Sequence, residues 1–102
     1  GIVFIRVQGK ENERYNSYLA DILAFNDIFD KKYYIIYSDY KDYYEISIRR
    51  SKKEEIPNMV YSLTEKYNGK LSGNDNICGF YINKSNFEDF KDKLSDILLK
   101  FS

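Results

Sequence analysis

Residues 33–53 read YYIIYSDYKDYYEISIRRSKK, with six tyrosines in the first twelve positions and a basic run at the end. Tyrosine is a strand former that also enriches recognition surfaces. The stretch therefore reads either as a sheet packing its own core or as one offering a face to a partner. Residues 33–38 and 43–50 are two strand-like runs joined by Asp39, Tyr40, Lys41 and Asp42, a short polar connector of the kind that closes a hairpin. In the second run Tyr44, Ile46 and Ile48 alternate with Tyr43, Glu45, Ser47 and Arg49, so one face is apolar and the other is wet or partner-facing.

Outward from this hairpin the chain alternates between the two periodicities. IVFIRV at 2–7 is β-branched and aromatic, too short for a helix, and predicts a first strand. Tyr15, Tyr18, Leu19, Ile22, Leu23 and Phe25 or Asn26 fall at three-and-four spacing and predict an amphipathic helix over 12–28. Past the hairpin, Ser51 and Glu54 imitate a capping box, but Pro57 moves the predicted helix start to 54–56. Ile56, Met59, Val60, Leu63 and Tyr67 form its apolar stripe, and Asn68-Gly69 ends it. A loop, KLSGNDN, leads to a fourth strand at 77–82. Ser85 with Glu88 then caps a final helix carrying Phe87, Phe90, Leu94, Ile97, Leu98 and Phe101. The order βαββαβα predicts an α+β domain over 1–102: a ferredoxin-like βαββαβ sandwich with a four-stranded antiparallel sheet, both crossover helices on one face, and an extra C-terminal helix that must bury against something.

Composition narrows the chemistry. The chain has 102 residues, 16 basic and 16 acidic, and so lacks the whole-molecule field that draws in nucleic acid or an anionic membrane. Binding of that kind would need a local patch. There is no histidine, which removes the usual general base and the commonest zinc ligand together. The one cysteine, Cys78, sits between apolar neighbours and reads as a buried, inert thiol in a reducing, cytoplasmic setting. Asp39, Asp42 and Glu45 suit a turn and an exposed strand face better than an acid–base pair. The glycines at 69, 73 and 79 match no phosphate-loop spacing. These features predict a protein that is not an enzyme, with no cofactor, no metal site and no membrane span.

Two binding classes then compete. A surface of Tyr37, Tyr40 and Tyr43 with Arg49 and Arg50 has the composition of a protein interface. This favours a small protein-binding module of the inhibitor, immunity or regulatory kind, with a homodimer also possible. The alternative is single-stranded RNA. VFIRVQ at 3–8, KDYYEISI at 41–48 and YNGKLSG after the second helix resemble the sheet motifs and turn of RNA-recognition domains. That resemblance implies base stacking on Phe4 and Tyr43, with Arg49, Lys52 and Lys53 on phosphates. The chain departs from the pattern at Glu45, where a second aromatic is expected, at Asp42 in place of a glycine, and in a first strand without its asparagine. The position of the last helix separates the two readings, because a covered sheet face cannot stack bases.

Overall fold

In the computed structural model, which describes residues 1–7, 13–53, 55–67 and 77–100, the elements run β1 (Ile2–Val7), α1 (Glu13–Phe25), β2 (Tyr33–Tyr40), β3 (Tyr43–Arg50), α2 (Asn58–Lys66), β4 (Ile77–Asn83) and α3 (Phe87–Lys100). Short 3-10 turns at Ser51–Lys53 and Lys84–Asn86 precede α2 and α3. The Asn68-Gly69 stop, the 70–76 loop, Glu54, Phe101 and the side chains of Tyr15, Lys53 and Cys78 lie outside the described residues.

The four strands follow the order β1-β2-β3-β4, with β1 parallel to β2 and the other two pairings antiparallel. The class is α+β, as the element order predicts, but the sheet is mixed and its order is not the ferredoxin-like one. A βαβ unit can set its two strands side by side or leave a gap for a third. Here β1 pairs directly with β2, in register from Ile2 opposite Tyr33 to Val7 opposite Ser38.

That adjacency changes where the helices lie. Tyr33, Ile35, Ile46, Ile48, Phe80 and Ile82 point to one face and are buried with Ile56, Val60 and Leu63 before and within α2, and with Phe87, Phe90, Leu94 and Leu98 of α3. On the other face lies α1. Its Asn16 donates to the Ser38 hydroxyl at 2.7 Å and its Asp21 accepts from Arg49 at 2.7 Å. The structure is thus three layers, with helices on both sides of the sheet. Tyr34 and Ile36 are covered by the α1 layer as completely as Tyr33 and Ile35 are by the other.

α1 does not bury the stripe its large residues suggest. Asn16, Ala20 and Ala24 are buried, whereas Tyr18 and Ile22 are exposed. Small residues let the helix axis approach the pleated surface closely, which outweighs the larger area of the tyrosine face. α2 begins one residue after Pro57, whose ψ of 139° is extended, so Ile56 packs from the preceding segment and Met59 faces solvent. At the start of α3, Asn83 accepts from both the Ser85 N–H and the Ser85 hydroxyl, a capping role that the Ser85 and Glu88 spacing had suggested for Ser85.

Polar groups hold the layers in register. Arg49 is 1% exposed and bonds Asp21 and the Ile48 carbonyl. Between α2 and α3, the Tyr67 hydroxyl meets the Asp89 carboxylate, and Lys93 lies 3.2 Å from the same group. The Tyr67 hydrogen bond first, and then that of Lys93, hold the Asp89 carboxyl below its ordinary range.

Two outcomes follow from this packing. Asp21→Asn leaves a guanidinium buried against a weaker acceptor and is expected to lower unfolding free energy by about 2–3 kcal/mol, less than a fully buried pair would lose because Asp21 is partly exposed. Chemical denaturation checks it, and a change under about 0.5 kcal/mol, the size of an ordinary surface effect, would contradict it. The Asp89 contact carries its own pH signature. Its contribution to stability is complete above the unfolded-chain carboxylate range and is lost as pH falls through the lower folded value. The acid limb of a stability curve should therefore flatten in Asp89→Asn, and an unchanged limb would assign acid sensitivity elsewhere.

Candidate nucleic-acid interface at the hairpin end

With both sheet faces covered by helices, the exposed Tyr43 ring and the half-buried Tyr40, Tyr44 and Tyr81 rings group with charged residues at the end of the strands where β2 turns into β3. Tyr40 pairs with Tyr43, so the connector shortens to Lys41 and Asp42, with Lys41 at φ 54°. The Asp42 carbonyl accepts from the Lys84 N–H at 2.9 Å, fixing the chain after β4 beside the turn. Four strand ends thus converge on a single rim.

On the α1 side of the rim, the Tyr40 ring lies 5.4 Å from that of Tyr81, and Lys41 extends over Tyr40 at 5.4 Å. Tyr43 is 44% exposed, enough to offer a ring face to a partner. On the opposite side, Arg6 of β1, Asp39 of β2, Tyr44 of β3 and Lys84 form a row across the sheet. Nη2 of Arg6 lies 2.9 Å from both Asp39 carboxylate oxygens, and Lys84 Nζ lies 3.7 Å from Oδ2. Both cations sit over the Tyr44 ring, at 5.9 and 5.3 Å. The hydrogen bond that Arg6 donates to Asp39, followed by the carboxylate's charge, pushes the Arg6 guanidinium further toward its protonated form. Beneath the row, Tyr44 and Tyr37 pack on each other at 5.4 Å and on Phe87 at 4.6 and 4.8 Å, so the rim rests on the core.

The residues singled out from the sequence divide accordingly. Tyr40 and Tyr43 reach the rim. Tyr37 is half-buried beneath it, against Phe87. Arg49 is buried under α1, and no surface contact can be made through it. Arg50 folds over Tyr33 at 5.5 Å and donates to the Glu55 carbonyl, which ties β3 to the segment before α2. Lys52 is exposed at φ 59°, near the end of β3 opposite the hairpin turn. Phe4 packs against the α2/α3 core, with Lys91 of α3 over its ring at 4.9 Å. Phe4 and Tyr43 therefore lie on opposite faces, and α3 covers the Phe4 face. An RNA-recognition-like sheet surface is not formed. Sequence reading missed Arg6, Tyr44, Tyr81 and Lys84. The signal for Arg6 was available as a lone charge in an apolar edge strand.

No family model and no curated protein matches the chain. Among solved structures, it is similar to the C-Ala domain of alanyl-tRNA synthetase from Aquifex aeolicus, with a TM-score of 0.68 and 17% identity over 95% of this chain and 87% of the other. The likeness is one of fold. It corrects the expectation of an inhibitor, immunity or regulatory module, since the fold it matches is a domain of a tRNA synthetase. Among the described residues, no helix is long and apolar enough to cross a membrane.

The rim makes a clear distinction between neighbouring tyrosines. Tyr43→Ala should change stability by no more than about 0.5 kcal/mol, whereas Tyr44→Ala should cost about 2–4 kcal/mol through the cavity opened beside Phe87. Equal losses in thermal or chemical unfolding would contradict the division between presented and supporting rings.

Proposed function

We propose that this chain is a non-catalytic RNA-binding domain that engages its ligand at the hairpin end and not across the sheet. The observation that carries the reading is the grouping of Tyr40 and Tyr43 with Arg6, Lys41 and Lys84 on one rigid rim. Unpaired bases stack on tyrosine rings, and the cations meet phosphates. The fold it shares with a domain of a tRNA synthetase supports the same class. A cytoplasmic location, expected from cysteine usage, belongs with it.

Charge sets the strength. Asp39 and Asp42 stand among the three cations, and the whole chain is neutral, so binding is modest and its cations are few. We expect dissociation constants of about 10⁻⁴–10⁻⁶ M at physiological salt, tighter at low salt and weaker as salt rises and released counterions lose their entropic advantage. The test is fluorescence anisotropy with a labelled tRNA transcript and an unstructured oligouridylate at two salt concentrations. Tyr43→Ala is expected to weaken binding by about 1–3 kcal/mol with its circular dichroism unchanged. Absence of binding to either RNA at low salt would defeat the proposal, as would binding indifferent to both Tyr43→Ala and Lys84→Gln.

A further inference from the structure

Resting on that reading, we infer that Arg6, Lys84 and the Tyr44 ring form a phosphodiester-binding site in which the Asp39 carboxylate is a resident anion that an RNA phosphate displaces. Two cations from opposite edges of the sheet converge on one carboxylate oxygen, at 2.9 and 3.7 Å, above the face of a single ring. A tetrahedral monoanion has the charge and the acceptor oxygens to take that place. The site is also incompletely used by its present occupant. Arg6 gives Asp39 one nitrogen, Nη2, and no other hydrogen-bond partner of its guanidinium is found among the described residues. Lys84 approaches Asp39 beyond hydrogen-bond distance.

Exchange is permitted because the resident contact is weak. Arg6 and Asp39 are 44% and 48% exposed, and ion pairs so open to water contribute little to stability. Nothing in the backbone depends on the carboxylate, since Asp39 is held in β2 by its pairing opposite Tyr44. Position completes the case. Asp39 and Tyr40 are consecutive strand residues, so the phosphate site and the Tyr40 and Tyr43 rings lie on opposite sides of one edge. A strand of RNA crossing that edge places its phosphate against the cations as its bases reach the tyrosines. Asp39 thus sets the affinity and salt sensitivity of the site by competing with the ligand.

The test compares wild type, Asp39→Asn and Asp39→Asn/Arg6→Gln for binding of labelled oligouridylate across a salt series. Asp30→Asn serves as the control for net charge, because Asp30 precedes β2 at the far end of the sheet and its φ of 52° is one that asparagine tolerates. Asp39→Asn is expected to bind several-fold more tightly at low salt, with a salt slope steeper by about 0.7 for each phosphate gained. Asp30→Asn should stay near wild type, and Arg6→Gln should cancel the gain. If Asp39→Asn has native near-ultraviolet circular dichroism and binds no better than wild type, Asp39 is not a competitor and the inference falls while RNA binding stands. An equal gain in Asp30→Asn, or a gain that survives Arg6→Gln, overturns the site in the same way. Should Asp39→Asn lose its native spectrum, Asp39→Ser takes its place under the same criteria. If neither wild type nor Asp39→Asn binds RNA, the inference and the functional reading fall together.

Discussion

The structure depends on β2 being buried on both faces. Tyr33, Tyr34, Ile35 and Ile36 are all fully enclosed, so consecutive residues, which point to opposite sides of a sheet, each require a covering layer. One layer is α2 with α3 and the other is α1. A strand so placed cannot lie at an edge, and it sits inside the sheet between β1 and β3. Once both faces are closed, a sheet can offer partners only its edges and its strand ends. The location of the hairpin rim is therefore a consequence of four residues near the start of β2.

Much of this was legible in the sequence, and the failures have identifiable causes. The four strands and three helices fall close to where periodicity places them, because alternation and three-and-four spacing are local properties. Strand order is not local. A βαβ segment carries the same pattern whether its strands adjoin or leave a gap, and only the unbroken apolar run YYII indicated burial on both faces. The alternation of Tyr43, Glu45, Ser47 and Arg49 was read correctly as a shared face, but that face is wet only near the turn. Farther along, α1 covers it. The matching signal was Asn16, Ala20 and Ala24 at four-residue spacing, a small-residue stripe easily passed over beside Tyr18 and Ile22.

Arg49 and Arg6 illustrate how one residue type takes opposite roles in the same sheet. Both meet an aspartate near 2.7–2.9 Å. Arg49, enclosed beneath α1, holds its charge in a low-dielectric layer where losing the Asp21 carboxylate is costly, so its pair acts as a fixed structural tie. Arg6, on the open edge strand, is hydrated whether or not Asp39 is present, and its pair can exchange. Distance alone does not distinguish them. Burial does, and burial follows from which side of the sheet α1 occupies.

The abundance of tyrosine at the hairpin then has a physical account. A ring that contributes packing area toward the core and also meets water or a cation outward is needed wherever a strand passes from the covered region to the rim. Tyr37 and Tyr44 serve the inner part of that transition against Phe87, and Tyr40 and Tyr43 serve the outer part. Phenylalanine would satisfy the first pair but leave an apolar edge beside a sheet terminus. Charged residues would solvate the second pair but give no flat surface. The cations over Tyr44 and Tyr40 gain from the same choice, because a ring face holds a lysine or arginine in place without neutralising it. A neutral chain can thereby present positive charge at one rigid end, and Asp39 determines how much of that charge an incoming anion encounters.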